Sequence, residues 1–164
     1  MRVVILGCGR VGSTLAALLT REGHHVSVVD RDQTAFDKAV QRLGPGFTRE
    51  TVRGIGIDES TLRQAGIEEA DAFISVTSGD NTNIVAAQIA KERFHVPKVL
   101  ARVYDPIRAQ AYREAGIDTV CTTTIGAGVL HDLVLGRPLR KPQEYIDDIT
   151  SQMTGGPGEL GPSA

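Results

Sequence analysis

The chain has 164 residues, of which 41% are hydrophobic and 23% charged, and its formal net charge at pH 7 is −2. This length allows one domain with a full core and is too short for a second domain of ordinary size. The 18 basic residues are scattered, so no basic face for nucleic acid and no polybasic run for a membrane surface is expected. The apolar runs at 3–6 and 73–76 are far shorter than a bilayer span, and we expect a cytoplasmic protein that does not span the membrane.

The first predicted unit is a strand, a glycine-rich turn and a helix. Val3–Leu6 is a β-branched apolar run of the kind found in buried strands, and the motif G-x-G-x-x-G follows it at Gly7, Gly9 and Gly12. A helix is predicted over residues 11–22. In this arrangement the first glycine permits the turn, the second leaves room for a pyrophosphate and the third lets the helix pack against the strand.

A second predicted strand, Val26–Val29, ends at Asp30. An acidic residue about 20 residues after the glycines, in this position, is typical of a dinucleotide-binding unit. Asp30 would bind the two ribose hydroxyls of an adenosine and would repel a 2′-phosphate. The motif therefore favours NAD(H) or an adenine nucleotide over NADP, and the exposed N–H groups of the helix N-terminus favour its phosphates.

The same alternation of apolar runs and helical periodicity continues to about residue 135, which predicts a Rossmann-like, doubly wound parallel sheet of about six strands. Asp32 is the predicted N-cap of a helix that runs to Leu43. The later predicted elements are a strand at 51–54, a brief helix at 59–65, a strand at 73–77, a helix at 81–94, a strand at 99–103, a helix at 106–115 and a strand at 118–121.

One more helix is predicted over Thr123–Leu135, with an apolar stripe that no further strand covers. Such a helix is expected to pack against a partner. The stripe consists of Ile125, Val129, Leu130, Val134 and Leu135. Beyond it the chain turns to Pro, Gly and charged residues, so we expect one domain over residues 1–135 and a linker or flexible tail over 136–164, without a complete C-terminal domain.

Ligands of open parallel sheets bind beyond the carboxyl ends of the strands. Here these ends carry Arg31 after the second strand, Gly54-Ile55-Gly56 after the third, and a polar segment from Thr77 to Asn83 after the fourth. The two glycines would let the backbone approach an adenine closely. In the polar segment, Asp80 or Asn81 could equally be a helix cap.

Arg102 is a charged residue within an otherwise apolar predicted strand. A buried guanidinium needs an anionic partner, because burying it unpaired is costly. A ligand phosphate and a buried carboxylate both satisfy this need, and the sequence leaves both open.

Catalytic groups are not evident. None of the four histidines has the spacing of a metal site or a catalytic triad, and hydride transfer would need an acid or base and a substrate pocket. Cys8, between two glycines, could act as a redox-sensitive thiolate at the helix N-terminus or could simply be the small residue that the turn requires. We expect no catalytic residue and no metal.

Several separated motifs together resemble one family, the N-terminal nucleotide-binding (RCK, KTN or TrkA-N) domains of regulators of potassium conductance, and specifically the Trk-type potassium-uptake regulatory proteins. The resemblance covers residues 1–135. Its motifs are Gly7-Cys-Gly-Arg-Val-Gly12, Val28-Val-Asp30-Arg-Asp32, Leu62-Arg-Gln-Ala-Gly-Ile-Glu-Glu-Ala-Asp71, Val76-Thr77, Asp80-Asn-Thr-Asn83, Ala101-Arg102-Val103 and Tyr112-Arg-Glu-Ala-Gly-Ile-Asp118.

The resemblance implies a cytoplasmic regulatory subunit, peripheral to the inner face of the membrane, that binds NAD(H) or ATP/ADP and gates a membrane potassium transporter. It also implies that two copies pair through the helix over Thr123–Leu135, which would be a dimerising helix. In that family, arginines at the positions of Arg10 and Arg102 lie near the phosphates of the ligand, whereas Gly54-Ile55 departs from the Gly-Asp found in many relatives.

Two other functions are the alternatives to a regulatory subunit. They are an NAD-dependent oxidoreductase subunit without its substrate domain and a transcriptional sensor. The candidate ligand-binding residues are Gly7, Cys8, Gly9, Arg10, Val11, Gly12, Asp30, Arg31, Gly54, Ile55, Gly56, Thr77, Asn81, Asn83 and Arg102.

Overall fold

The computed structural model describes residues 1–154. Within them, six strands form one parallel sheet in the order β3-β2-β1-β4-β5-β6, which confirms the predicted doubly wound fold. The strands are β1 (Arg2–Leu6), β2 (His25–Asp30), β3 (Glu50–Arg53), β4 (Ala72–Ser75), β5 (Lys98–Arg102) and β6 (Asp118–Val120).

Helices connect successive strands, as the predicted alternation requires, and two further helices follow β6. They are α1 (Arg10–Arg21), α2 (Gln33–Leu43), α3 (Glu59–Gln64), α4 (Asp80–Gln88), α5 (Pro106–Glu114), α6 (Thr122–Val134) and α7 (Pro142–Thr154). The predicted helix over 81–94 is divided, because α4 continues as a π-helical segment, Ile89–Arg93. Its wider turn ends where the N–H of Phe94 bonds the carbonyl of Ile89 at 3.3 Å.

Two apolar layers enclose the sheet. On one face, Ala16 of α1 and Phe36 of α2 pack against Ile5 of β1. On the other, Ile84 of α4 and Ala109 of α5 belong to a second core cluster. Both faces of the central strands are therefore buried, which explains why these strands are continuous apolar runs.

The strand order reverses between β1 and β4, which lie side by side with Leu6 paired to Ser75. The chain leaves these two strands in opposite directions along the sheet. In sheets of this kind a crevice opens beyond the carboxyl ends at the reversal, so the residues that follow β1 and β4 line the candidate site.

The predicted flexible tail over 136–164 is wrong for residues 142–154, because Pro142–Thr154 form helix α7. Tyr145 of α7 is only 1% exposed and packs against Gly128 of α6, where a β-carbon would overlap the tyrosine ring. A segment with little apolar content thus folds by packing its few apolar side chains against α6 and α5. The remainder of the predicted tail, 155–164, lies outside the described residues.

The apolar stripe predicted on α6 is only partly covered. Helix α7 packs on a different face of α6, where Thr124, Gly128 and Asp132 are buried. Three residues of the stripe remain open to solvent: Leu130 (65% exposed), Val134 (84%) and Leu135 (52%).

Candidate functional site

Residues 7–12, which comprise the turn after β1 and the first three residues of α1, are called the glycine loop below. Gly7 has a φ of +106°, and a β-carbon there would also lie 2.9 Å from the backbone nitrogen of Thr77. A β-carbon at Gly12 would overlap the carbonyl oxygen of Gly7. Gly7 and Gly12 are therefore required by the fold itself, as their predicted roles in turning and close packing demand.

Gly9 differs from its neighbours, because a β-carbon built on it would meet no protein atom within 4 Å. It is the N-cap of α1, with no side-chain cap, and its carbonyl accepts the N–H of Ser13 at 3.0 Å. The N–H groups of the first turn of α1, which follows Gly9, have no partner within the helix. Open space above Gly9 and free donors beside it suit the anion predicted from the sequence.

Asp30 ends β2 beside the glycine loop. One carboxylate oxygen accepts the N–H of Cys8 at 2.7 Å, and the other accepts the N–H of Asp32 at 3.0 Å. Each oxygen keeps a second lone pair for further donors. The structure thus brings Asp30 against the loop, as the spacing predicts, whereas the next residue, Arg31, is exposed and makes no such contact among the described residues.

The glycines after β3 have a packing explanation. A β-carbon at Gly54 would lie 2.5 Å from Thr61, and one at Gly56 would overlap the side chain of Leu6. The space beside both glycines is therefore occupied by protein, and close approach to an adenine is not needed to explain them. Between them Ile55 is 60% exposed, and Gly54 adjoins Asp30 through a 3.0 Å backbone hydrogen bond.

Asn83 is completely buried, and its amide is fully engaged. Its Oδ1 accepts the Thr77 N–H at 2.8 Å and the Thr77 hydroxyl at 2.7 Å. Its Nδ2 donates to the carbonyls of Thr77 and Arg102, both at 2.9 Å. The structure therefore makes Asn83 a residue that positions Thr77 and β5, with no donor or acceptor left for direct ligand contact.

The Arg102 side chain is 9% exposed and lies beside the same loop. Its Nη2 donates to the carbonyls of Val76 and Thr77, both at 2.8 Å, and Gly7 approaches these two residues from the other side. The Nε is buried without a hydrogen-bond partner, and no ion pair to a described carboxylate forms. The alternative of a buried carboxylate partner is thus wrong within residues 1–154.

Neither Asp80 nor Asn81 caps α4, so the alternative that one of them is a helix cap is wrong. The N-cap is Gly79, with no side-chain hydrogen bond. The Asp80 carboxylate instead accepts the N–H groups of Tyr104 at 3.0 Å and Asp105 at 3.3 Å. It joins the loop after β4 to the loop after β5, a contact across 24 residues that local patterns do not reveal.

Two residues near the site were missed by the sequence analysis. Tyr104 stacks over Arg102, with the guanidinium carbon 4.4 Å from the ring centroid. Arg108 hydrogen-bonds the exposed side chain of Asn81. A signal for Tyr104 existed in its spacing, because residues i and i+2 of an extended chain share a face.

The surroundings of Cys8 disfavour the thiolate form of its side chain. Burial, followed by the nearby charge of Asp30, raises the pKa of Cys8 to about 12, and the opposing effect of Arg42 is smaller. Its sulfur points to the carbonyl of Ala35, at 3.8 Å. Of the two explanations for this residue, the need for a small side chain remains.

Further features bear on the predicted class of protein. Among residues 1–154 no group of three or more His, Cys, Asp or Glu side chains could hold a metal ion. None of the described helices has the length and apolar character needed to cross a membrane.

Comparison with known proteins agrees with the resemblance seen in the sequence. The TrkA-N domain model matches residues 3–123. The Trk system potassium uptake protein TrkA of Streptomyces coelicolor is 57% identical over 122 residues, which cover 74% of this chain and 53% of that protein. The chain therefore spans about half the length of this relative.

Solved structures show the same fold. The TrkA-N domain of the inner membrane protein ybaL from Escherichia coli has a TM-score of 0.69 and 20% identity, over 80% of this chain and 95% of that one. GsuK bound to ADP has a TM-score of 0.66 and 28% identity, over 80% of this chain and 33% of that one. The match of the TrkA-N domain model over residues 3–123 shows that the chain belongs to the TrkA-N (RCK) domain family.

Proposed function

We propose that this chain is the nucleotide-sensing module of a potassium-uptake regulator. The observation that carries the proposal is the buried Arg102 guanidinium, which has an unpartnered Nε and no ion pair to a described carboxylate. Leaving a buried donor unsatisfied costs about 1–3 kcal/mol. A ligand phosphate in the crevice between Arg102 and the glycine loop would remove that cost.

The ligand class follows from the two ends of the crevice. Asp30 would hold ribose hydroxyls, while the first N–H groups of α1, together with Arg10 and Arg102, would hold a pyrophosphate. A 2′-phosphate would meet the Asp30 carboxylate, so NAD(H), ADP and ATP are favoured over NADPH. The open space above Gly9 supports this placement, and GsuK, a structural relative, is described bound to ADP.

The proposed role in potassium uptake is supported by the names of relatives of this chain. The Streptomyces coelicolor protein is named as a Trk system potassium uptake protein, and this chain spans about half of it. We propose a cytoplasmic subunit that contacts a membrane transporter and performs no catalysis itself. The ligand would act by binding one arrangement of the assembly better than another, since only such a difference shifts an equilibrium.

Self-association is part of the proposal. Leu130 and Val134 lie one helical turn apart on α6 and are 65% and 84% exposed. Large apolar side chains clustered on an exposed face favour a protein partner. A second copy of the chain would bury them, and dimers provide the relative movement between nucleotide domains that a gating subunit needs.

The test is titration calorimetry of the purified chain with NADH, NAD, ADP, ATP and NADPH. We expect NADH, NAD, ADP or ATP to bind and NADPH to be rejected, with no NADH oxidation over hours. Gly9→Ala should fold normally, because its β-carbon meets no protein atom, yet it should block the pyrophosphate. Gly46→Ala, which also meets no atom, is the matched control and should bind like the wild type.

Two outcomes contradict the proposal. If none of the adenosine ligands binds the wild-type chain, the crevice is not a nucleotide site. If NADH is consumed in the presence of a small substrate, the chain belongs to an oxidoreductase instead.

A further inference from the structure

Tyr104 covers the anion-binding arginine. Its ring lies over the Arg102 guanidinium at 4.4 Å, because the extended backbone at the end of β5 places residues 102 and 104 on one face. The Val103 N–H still bonds the Val120 carbonyl, at 3.1 Å, so the extended geometry continues past the last residue of the strand. The proposed nucleotide site makes no use of this tyrosine.

The covered guanidinium is incompletely bonded. Its Nη2 is held by the carbonyls of Val76 and Thr77, both at 2.8 Å, whereas its Nε is buried and has no acceptor. The face of a tyrosine ring attracts a cation but is a much weaker acceptor than an anionic oxygen. The ring therefore shields the Arg102 charge from water without satisfying the Nε donor.

The ring can move while its backbone stays in place. The Tyr104 N–H is bound to Asp80 at 3.0 Å, and its carbonyl accepts the thiol of Cys121 at 3.4 Å. The side chain itself is 41% exposed, and its only described ring contact with a cation is to Arg102. A rotation of the side chain would uncover the guanidinium without opening either loop.

We propose that Tyr104 is a gate for the phosphate subsite, whose ring covers Arg102 in the free protein and is displaced when the phosphate of an adenosine ligand binds. The inference rests on the proposed function, since it assumes that a nucleotide phosphate reaches Arg102. It adds that Tyr104 determines how strongly phosphate is bound, whereas Asp30, at the other end of the crevice, binds the adenosine part independently.

The test compares ADP and adenosine binding by calorimetry in the wild type, Tyr104→Ala and Tyr104→Phe. Tyr104→Ala removes the competing ring, so ADP should bind about three- to tenfold tighter while adenosine binding is unchanged. Tyr104→Phe keeps the ring and should match the wild type. Tyr104→Leu, which retains bulk without a π face, should also bind ADP more tightly and covers the case in which the alanine variant is unstable.

Tyr112→Leu is the matched control, since Tyr112 also lies over an arginine, but over Arg108 at 6.0 Å and not over Arg102. It should leave ADP binding unchanged. If Tyr104→Ala and Tyr104→Leu bind ADP equally well or more weakly than the wild type, the gate is wrong while the nucleotide site stands. If the wild type binds neither ADP nor adenosine, the proposed function fails and the gate fails with it.

Discussion

The carboxylate of Asp30 accepts the backbone N–H of Cys8 over 2.7 Å, which fixes the end of β2 against the first turn of the glycine loop. The same carboxylate binds the N–H of Asp32 at 3.0 Å. The acid is therefore held in position before any ligand arrives. A preorganised acceptor binds a ribose more tightly than a mobile one, because less freedom is lost on binding.

Asp30→Ala should weaken ADP and NAD binding about 10- to 100-fold, since hydrogen bonds to a charged acceptor contribute about 1.5–3 kcal/mol. Asp30→Asn keeps an acceptor for Cys8 but removes the charge, so it should lose less affinity and begin to accept NADPH. Calorimetry measures both effects. Asp37→Ala, an exposed acid on α2, is the control, and equal affinities in Asp30→Ala and wild type would remove Asp30 from the site.

Substitutions of Asn83 and Asn81 should have different effects on stability, because Asn83 is buried and positions its neighbours whereas Asn81 lies on the surface. Asn83→Ala deletes four hydrogen bonds within a fully buried network, and the free energy of unfolding should fall by about 2–4 kcal/mol. Asn81→Ala, at an exposed position, should change it by less than about 0.5 kcal/mol. Denaturant unfolding measures both, and equal stabilities would contradict the network.

The sheet could be predicted because short stretches of the sequence are enough to identify its strands and turns. β1 and β2 are β-branched apolar runs, and the glycine spacing identifies the turn between β1 and α1. The role of a glycine could not be predicted where it depends on a side chain that is distant in the sequence. Gly56 is required by the side chain of Leu6, a contact between β1 and the end of β3 that no local pattern encodes.

Helix α7 shows a second limit. Its segment is rich in polar residues, and among residues 142–149 only Tyr145 and Ile146 are buried. Such a sequence has the composition of a linker, and it folds as a helix because another helix offers a complementary face. Gly128 provides that face on α6 by leaving room for the Tyr145 ring, so the helix depends on tertiary packing more than on its own propensity.

Cys8 should be almost unreactive in the folded protein. With a pKa of about 12, the thiolate fraction at pH 8 is about 10⁻⁴. Iodoacetamide followed by peptide mass spectrometry should label Cys8 in denaturant but leave it unmodified for hours in the native chain. Cys8→Ala should bind ADP like the wild type, because the sulfur points towards Ala35. Rapid native labelling would restore the redox interpretation.

Acidic substitutions on the exposed face of α6 test whether this face pairs two copies of the chain. The double variant Leu130→Glu, Val134→Glu should be monomeric by light scattering where the wild type is dimeric or larger, because two carboxylates cannot be buried in an apolar interface. Its melting temperature as a monomer should stay within a few degrees, since both positions are exposed. Val85→Glu, exposed on α4, is the control, and a wild type that is already monomeric would contradict the pairing.

The attachment of α7 should depend on acid through Asp132, which is 1% exposed on α6. Burial alone would raise the pKa of Asp132, but hydrogen bonds from Arg140, His131 and Tyr145 outweigh it and hold the pKa below its ordinary value of 3.8. A lowered pKa means that the ionised form stabilises the fold. This contribution is complete above about pH 4 and is lost as the pH falls through the lowered pKa.

Hydrogen exchange of the α7 amides measures this dependence. Protection should fall below about pH 4 in the wild type. Asp132→Asn, which cannot ionise, should show weaker protection and a smaller loss of protection in acid, since the Asp148 carboxylate still binds Arg140. His131→Gln should keep the acid-dependent loss, because Arg140 still binds Asp132 at 3.0 Å and Asp148 at 3.0 Å. If the Asn variant loses as much protection in acid as the wild type, Asp132 is not the carboxylate through which acid loosens α7.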